Sequence, residues 1–303
     1  MGAMSLPICP SLYCSLPVSG PVPVHVVRAG FYTRRLSPRR VQRYRCLNCS
    51  RYFSTQTLLP TYGQKKPEFN SPVLELLSSQ VSQRRCARLL RVNRKTVVRK
   101  FRFMARQAGI ENEKRRRELS HSPRLKIQFD DLITSIHTKC KPASVSLAVD
   151  ANTREILAFQ VSDLPARHPL VEISKKKYGV RRDERPQALK RLFQSLKPLV
   201  HAEAAFRSDC DPAYPGPLRA QFPHSTHERV LSRRARSAGF GELKRIGFDP
   251  LFSLNHTCAM LRANLNRLAR RTWCTSKSKI GLLLHLELYA YYHNTELVGR
   301  TAI

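Results

Sequence analysis

Residues 143–161, ASVSLAVDANTREILAFQV, alternate apolar with small or polar side chains on both sides of a polar interruption. Val145, Leu147 and Val149 fall on one face of an extended segment, and Ile156 and Ala158 resume the pattern after DANT. A period of two suits a half-buried strand and does not suit a helix. The polar stretch between the two runs supplies turn chemistry, so the unit reads as a β-hairpin. A chain with this hairpin must build at least part of its core around an antiparallel sheet.

The flanking segments extend that sheet. LKIQFDDLITSI and AEAAFRSDCDPAY read as further strands, the first with an apolar run that stops on Asp130 and Asp131. RPQALKRLFQSLKPLV, FSLNHTCAMLRANLNRLARRTW and KIGLLLHLELYAYYHN carry apolar residues at helical spacing. Strands first, then strands and helices in alternation, predict an α/β core with a mixed sheet over 124–303.

Upstream the pattern is helical. SPVLELLSSQ and VSQRRCARLLRVNRKTVVRKFRFMARQ predict helices within 68–117, with Ser71-Pro72 as cap and first turn. A turn at Val92-Asn93 followed by a helix beginning near Arg94 is helix-turn-helix phrasing. In such a unit the second helix enters the major groove, here presenting Arg94, Lys95, Thr96 and Arg99. A basic helical hairpin with a solvated charged face is the plainer alternative. ENEKRRRELSHSP reads as a charged linker.

Residues 1–60 hold two cysteine pairs, Cys9/Cys14 and Cys46/Cys49, in CPSLYC and YRCLNCSRYFS. Four thiolates at such spacing suit one tetrahedral Zn²⁺, and the segment reads as a zinc ribbon whose small core depends on the metal. Short strands are expected over VHVVRAGFYTRR and RVQRYRC, with turns at Gly30 and Ser37-Pro38. The nine cysteines are an odd count, and the first residues lack a basic region leading into an apolar one. That usage suits a reducing cytosol better than a disulfide framework.

Charge names the partner class. Lys and Arg number 54 against 21 acids, for a formal charge of +33, and residues 1–60 contain no acid at all. Cations at this density favour a polyphosphate partner, because neutralised phosphates release counterions; a ribosomal-type structural protein is the plainer alternative. Interleaved aliphatic and aromatic residues exclude a disordered basic tail. No stretch is apolar enough to span a membrane.

Against this background the acids stand out. A sheet that brings Asp130 and Asp209 together places like charges at close range, which disfavours the ionised forms. A divalent oxygen-seeking cation, Mg²⁺ or Mn²⁺, resolves the conflict and can clamp both oxygens of a phosphodiester displacement. Asp150 and Asp211 read as turn residues. His285, Glu287 and the tyrosines 289, 291 and 292 read as core or rim. Trp273 suits either stacking on a base or packing.

The segments RYRCLNCSRYFS, QFDDL, SLAVDANTREILAF, SDCDPAYP and FDPLFSLNHTCAMLRANLNRLARRTWCTSK resemble bacterial insertion-sequence transposases of the insertion-sequence-1 and 1595 type. The resemblance spans nearly the whole chain. It implies a zinc ribbon (1–60), a helix-turn-helix (68–117) and an RNase H-like core (124–303) with a DDE-type triad. Asp130 and Asp209 match the first two acids. Asn255, followed by His256, stands where glutamate is usual, and His256, Asp131 or Asp249 are the residues placed to compensate. The implied activity is metal-dependent strand cleavage and transfer on double-stranded DNA, at inverted-repeat ends and target, by a homodimer or larger oligomer. Arg262, Arg267, Arg270, Arg271 and Lys277 are the implied DNA contacts of the last stretch. Two alternatives are a sequence-specific DNA-binding protein with an inactive core and a plain nuclease.

Overall fold

The computed structural model describes residues 6–11, 14, 25–34, 39–231, 249–270 and 272–299. The chain divides into two compact units, 1–68 and 69–303.

The first unit is a three-stranded antiparallel sheet of β1 (Val26–Thr33), β2 (Arg40–Cys46) and β3 (Tyr52–Ser54), in that order. Gly30 does not make the expected turn. It lies inside β1 with φ of 79°, where the β1–β2 register shifts between Arg28 and Phe31. A glycine in the left-handed region absorbs an extra residue as a bulge and lets the strand continue. The turn expected at Ser37-Pro38 lies outside the described residues. Buried Cys9, Val26, Cys46 and Phe53 form the core. So small a core stabilises little by burial alone.

The second unit opens with α1 (Asn70–Leu77), α2 (Gln83–Leu89) and α3 (Arg94–Leu119). α1 begins one residue before Ser71, after Phe69, and without a side-chain cap; the Ser71 hydroxyl donates instead to Glu75 at 2.8 Å. The turn between α2 and α3 lies where the sequence predicts it, with Arg91 at φ of 51° and the Asn93 side chain capping Lys95 N–H at 2.8 Å. Val73, Leu77, Cys86, Ala87, Val97 and Phe101 bury the faces that join these helices.

α3 then runs 26 residues, through the stretch expected to be a linker. Glu, Lys and Arg are good helix formers, and Glu113 pairs with Arg116 and Arg117 one turn on. Its small buried positions Ala105 and Ala108 continue the same face, and Asn112 donates to the Glu287 carbonyl at 3.0 Å and to its carboxylate at 2.8 Å. The helix stops just before Pro123, which restricts the residue ahead of it.

The sheet follows: β4 (Arg124–Ser135), β5 (Pro142–Asp150) and β6 (Ile156–Asp163), then α4 (Val171–Tyr178), α5 (Arg185–Leu196), β7 (Val200–Ser208), α6 (Pro215–Gln221) and β8 (Thr226–Arg229). Strand order is β6-β5-β4-β7-β8; the first three are antiparallel, and β7 and β8 add parallel to β4. The hairpin turns at residues 151–153, and Asp150 Oδ1 accepts Asn152 N–H at 2.9 Å, the turn role expected of it. α7 (Phe252–Asn264) and α8 (Lys279–Tyr292) complete the unit.

Alternation sorts β4 between two cores. Ile127 and Phe129 meet Leu189, Leu192, Phe193 and Leu196 of α5 on one face. Leu132, with Val145, Leu147 and Val149 of β5, meets Leu254 and Leu261 of α7 and Leu286 and Tyr289 of α8 on the other. The helix expected to run through Trp273 ends instead at Asn264, where Leu265 turns extended. The Asn264 amide donates to the Met260 carbonyl at 2.9 Å and to the Tyr289 hydroxyl at 3.1 Å, a local competition that ends helices. Leu265 and Leu268 are buried beyond that point. Among the described residues no helix is long and apolar enough to cross a membrane.

Candidate acidic site and basic surfaces

Asp130 does not end its strand. β4 continues to Ser135, paired with β5 throughout, while its ladder with β7 stops at Gln128 and Arg207. The acids therefore lie where β7 parts from β4, at the end of the parallel β4–β7 ladder; open α/β sheets hold ligands at the carboxyl ends of their parallel strands. Asp209 follows β7 directly.

Because successive side chains alternate, Asp130 and Asp131 face opposite sides of the sheet. Asp131, opposite Ser146, accepts from the hydroxyls of Ser144 at 2.6 Å and Ser146 at 2.5 Å. Asp130 Oδ1 accepts the Asp131 N–H at 2.7 Å. The buried Tyr214 hydroxyl joins the pair, donating to Asp130 Oδ1 at 2.9 Å and standing 3.3 Å from Asp131 Oδ2. Asp209 Oδ1 accepts Asp211 N–H at 2.9 Å, and Asp211 in turn accepts from Ala213 N–H at 2.9 Å and from Arg185 at 3.2 Å. Asp211 is thus a turn residue held by an arginine, as the sequence predicts.

Electrostatics single out Asp130. Burial pushes its carboxyl up to about 6, with further upward pressure from the charges of Asp209 and Asp131; the Asp131 N–H and Tyr214 hydroxyl pull the other way. The Tyr214 phenol is raised by burial and by these same carboxylates, so it stays a hydrogen-bond donor.

α7 is tied to this strand through Gln128. Its Nε2 donates to the Pro250 carbonyl and its Oε1 accepts Leu254 N–H, each at 2.9 Å. Asn255 is the fourth residue of α7, exposed, with its own N–H bonded to the Leu251 carbonyl at 2.9 Å. It is therefore not a helix cap. Its Nδ2 donates to Asp249 Oδ2 at 2.8 Å, and Asp249 Oδ1 accepts Leu251 N–H at 2.9 Å. His256 has other neighbours: its ring lies 5.7 Å from that of Phe252, and burial and the charge of Arg154 lower its pKa. The α7 side chain that senses Asp130 is Cys258, whose thiol burial pushes up to about 12 with Asp130 adding to the shift.

Sequence reasoning missed Gln128, Tyr214, Ser144, Ser146 and Cys258. Only Gln128 had a local signal, a long polar residue between Ile127 and Phe129 in an apolar run. Ser144 and Ser146 become partners only when strands pair, and Tyr214 and Cys258 only when helices pack on the sheet.

In the first unit the four expected thiols converge: ligating atoms of Cys9, Cys14, Cys46 and Cys49 all lie within 4.8 Å of one another. The Sγ atoms of Cys9 and Cys49, and of Cys14 and Cys46, are 3.6 Å apart. A tetrahedral ion with bonds of about 2.3 Å spaces its sulfurs about 3.8 Å apart, so the set is shaped for a metal ion. Backbone N–H groups of Cys49 and Asn48 lower Cys46 to about 7, whereas burial pushes Cys9 up to about 12. Among the described residues this is the one group of three or more His, Cys, Asp or Glu side chains that converges so closely.

Two basic surfaces complete the picture. Arg94, Lys95 and Arg99 are exposed and Thr96 half-exposed on the first turns of α3. Arg262, Arg267, Arg270 and Lys277 line a single cleft, while Arg271 lies outside the described residues. Arg267 is partly committed inward: its Nε donates to His285 Nε2 at 2.7 Å, and His285 Nδ1 donates to the Gly281 carbonyl at 2.7 Å. Burial, then the Arg267 charge, lower His285 to about 3 and keep it a neutral core residue. Tyr289 is likewise buried in the core.

The chain matches no protein-family model, and no curated protein matches it.

Proposed function

We propose that the protein is a DNA transposase that cleaves and joins DNA strands by metal-dependent phosphoryl transfer. The observation that carries this reading is the placement of Asp130 where the β4–β7 ladder stops, with Asp209 just after β7 and close enough for its charge to raise the Asp130 carboxyl, inside a chain of charge +33. A carboxyl raised by burial, and further by a neighbouring carboxylate, marks a site short of positive charge. A donor set of carboxylate and amide oxygens suits Mg²⁺ or Mn²⁺. Asp130 and Asp209 would be its charged ligands, and Asn255, near the start of α7 with its amide nitrogen held by Asp249, would offer its amide oxygen. When bound, such an ion stabilises the charge that develops on phosphate oxygens.

The chain's own residues do the rest. Tyr214 and the Asp131 N–H orient Asp130 by donating to one carboxylate oxygen. Asp131, satisfied by two serines, anchors β4 to β5 and contributes to the crowding of charge. Gln128 sets the distance of α7 from the acids. The five-stranded mixed sheet with the first acid on its central strand supports an RNase H-like core. The packed α1–α3 unit with its exposed cations supports a helix-turn-helix reader of duplex DNA. The thiol cluster supports structural Zn²⁺ in a ribbon.

The test is cleavage of DNA carrying the element's own ends, across a Mg²⁺ titration. Asp130→Ala and Asp209→Ala are each expected to abolish cleavage while leaving duplex binding within about twofold. Equal cleavage by either variant and the parent sinks the assignment.

A further inference from the structure

Trp273, the only tryptophan of the chain, is 100% exposed. Leaving so large an apolar ring in water forgoes about 2 kcal/mol or more of burial, which an occupant of the surrounding cleft would recover. The chain just beyond it is stitched to the far end of β4: His137 N–H donates to the Ser276 carbonyl at 2.7 Å, and the Thr275 hydroxyl donates to the His137 carbonyl at 3.1 Å. Thr272 Oγ1 accepts Cys274 N–H at 2.9 Å and closes a turn around the ring.

The surroundings say what the occupant is. Trp273 lines an open cleft of about 1020 Å³ together with Lys139, Arg262, Arg267, Arg270 and Lys277. Among the described residues no carboxylate lines it. An aromatic face set among cations matches a nucleotide, with the base on the ring and phosphates on the cations. In a duplex every base face is already covered by its neighbours, so a flat ring finds nothing to stack on. An unpaired strand offers the face.

Strand β4 also links the cleft to Asp130. β4 carries Asp130 and then Ile133, Thr134 and Ser135 into the cleft wall, so its near edge is about 10 Å along the strand from Asp130.

We infer that this cleft is a binding site for single-stranded DNA, with one unpaired base stacked on Trp273 and the flanking phosphates on Arg262, Arg270, Lys277 and Lys139. The inference deepens the transposase reading by giving that enzyme a place to hold a strand end opened next to its acids. Binding itself does not require cleavage.

The single tryptophan makes the test direct, because emission of the full-length protein reports on that ring alone. Titration with an oligodeoxythymidine of about 12 nucleotides, a length within single-strand site sizes, should quench emission by half or more. A blunt duplex of two annealed strands, of matching charge and without unpaired nucleotides, should quench it little. Trp273→Ala should weaken oligodeoxythymidine binding about 5- to 100-fold, measured with a labelled strand, with duplex affinity unchanged. Trp273→Phe should recover most of the loss. Arg270→Ala and Lys277→Ala should each lower the slope of log affinity on log salt by about 0.7. As the ring is outside the core, Trp273→Ala should melt with the parent. Unchanged single-strand affinity in Trp273→Ala, or equal quenching by duplex and single strand, overturns the inference. Asp130→Ala/Asp209→Ala keeps the quenching if the cleft acts as inferred, whatever becomes of cleavage, so the two readings fail separately.

Discussion

Gln128 binds Leu254 across the gap between β4 and α7, accepting its N–H at 2.9 Å while donating to the Pro250 carbonyl at 2.9 Å. Gln128 lies two residues before Asp130 on the same strand face, and Leu254 directly precedes Asn255. One buried amide therefore sets how the strand that carries the first acid meets the helix that carries the amide. Gln128→Leu leaves a buried donor and a buried acceptor unmet, which costs about 2–4 kcal/mol. Denaturant unfolding should show that loss, and cleavage should fall further than DNA binding. A variant as stable as the parent removes Gln128 from this role.

Asp130 has a pH signature. Its folded pKa, about 6, is above the unfolded value near 3.8, so between these the unfolded chain holds fewer protons than the folded one. Stability therefore falls as pH rises through that window. Asp130→Asn keeps an oxygen for Tyr214 and the Asp131 N–H but cannot ionise. Without divalent metal it should be more stable than the parent above pH about 6, by about 2–3 kcal/mol, and no more stable near pH about 4. Added Mg²⁺ should raise the melting temperature of the parent and not of the variant. An Asn variant with the same pH slope as the parent contradicts the burial of charge at Asp130.

Asn255 separates a ligand from a tether. As a ligand, Asn255→Ala should cut cleavage about 100-fold or more, and Asn255→Asp should retain cleavage with a stronger Mg²⁺ dependence. Asn255→Asp also sets a charge against Asp249, now 2.8 Å from the amide nitrogen, and should cost about 0.5–1 kcal/mol without metal at this exposed site. If Asn255→Ala cleaves like the parent at every Mg²⁺ concentration, the residue only tethers Asp249.

The thiol cluster should carry one zinc per chain in protein purified without added metal. With Val26 and Phe53 as its main buried apolar side chains, the first unit depends on the ion for its fold. Cys46→Ser, or a chelator, should release the zinc and the circular-dichroism signal of the three-stranded sheet. Cys258→Ser should release neither. Less than half an equivalent in the parent ends the zinc assignment.

Arg94 and Arg99 should contact duplex phosphates or base edges from the start of α3. Arg94→Ala and Arg99→Ala should each weaken duplex binding and, where the contact is to phosphate, lower the salt slope by about one. These tests belong in the full chain, because α3 shares its buried face with α8 through Leu288. Unchanged affinity and slope in both variants takes DNA reading away from this helix.

What the sequence determined follows from local rules. The period-two alternation of 143–161 made the β5–β6 hairpin, because one face of each strand had to be buried. Asn93 with its cap placed the start of α3, and the two cysteine pairs implied a common centre because thiols so spaced can close on one ion. Adjacent Asp130 and Asp131, in a chain of 54 cations and 21 acids, marked out by contrast the stretch on which the functional proposal rests. Tertiary structure decided whatever depends on a distant partner. Gly30 became a bulge because β1 had to keep its ladder with β2, and 111–119 became helix partly because Asn112 found Glu287. α7 ended at Asn264 because that side chain found Tyr289. Asp130 proved to be mid-strand, its setting fixed by where β7 leaves β4. Ser144 and Ser146 joined the acids only through strand pairing, and Tyr214 only through the packing of the start of α6 against β4. Local periodicity records which face a residue needs buried; which group waits on the other side is recorded only in the packing.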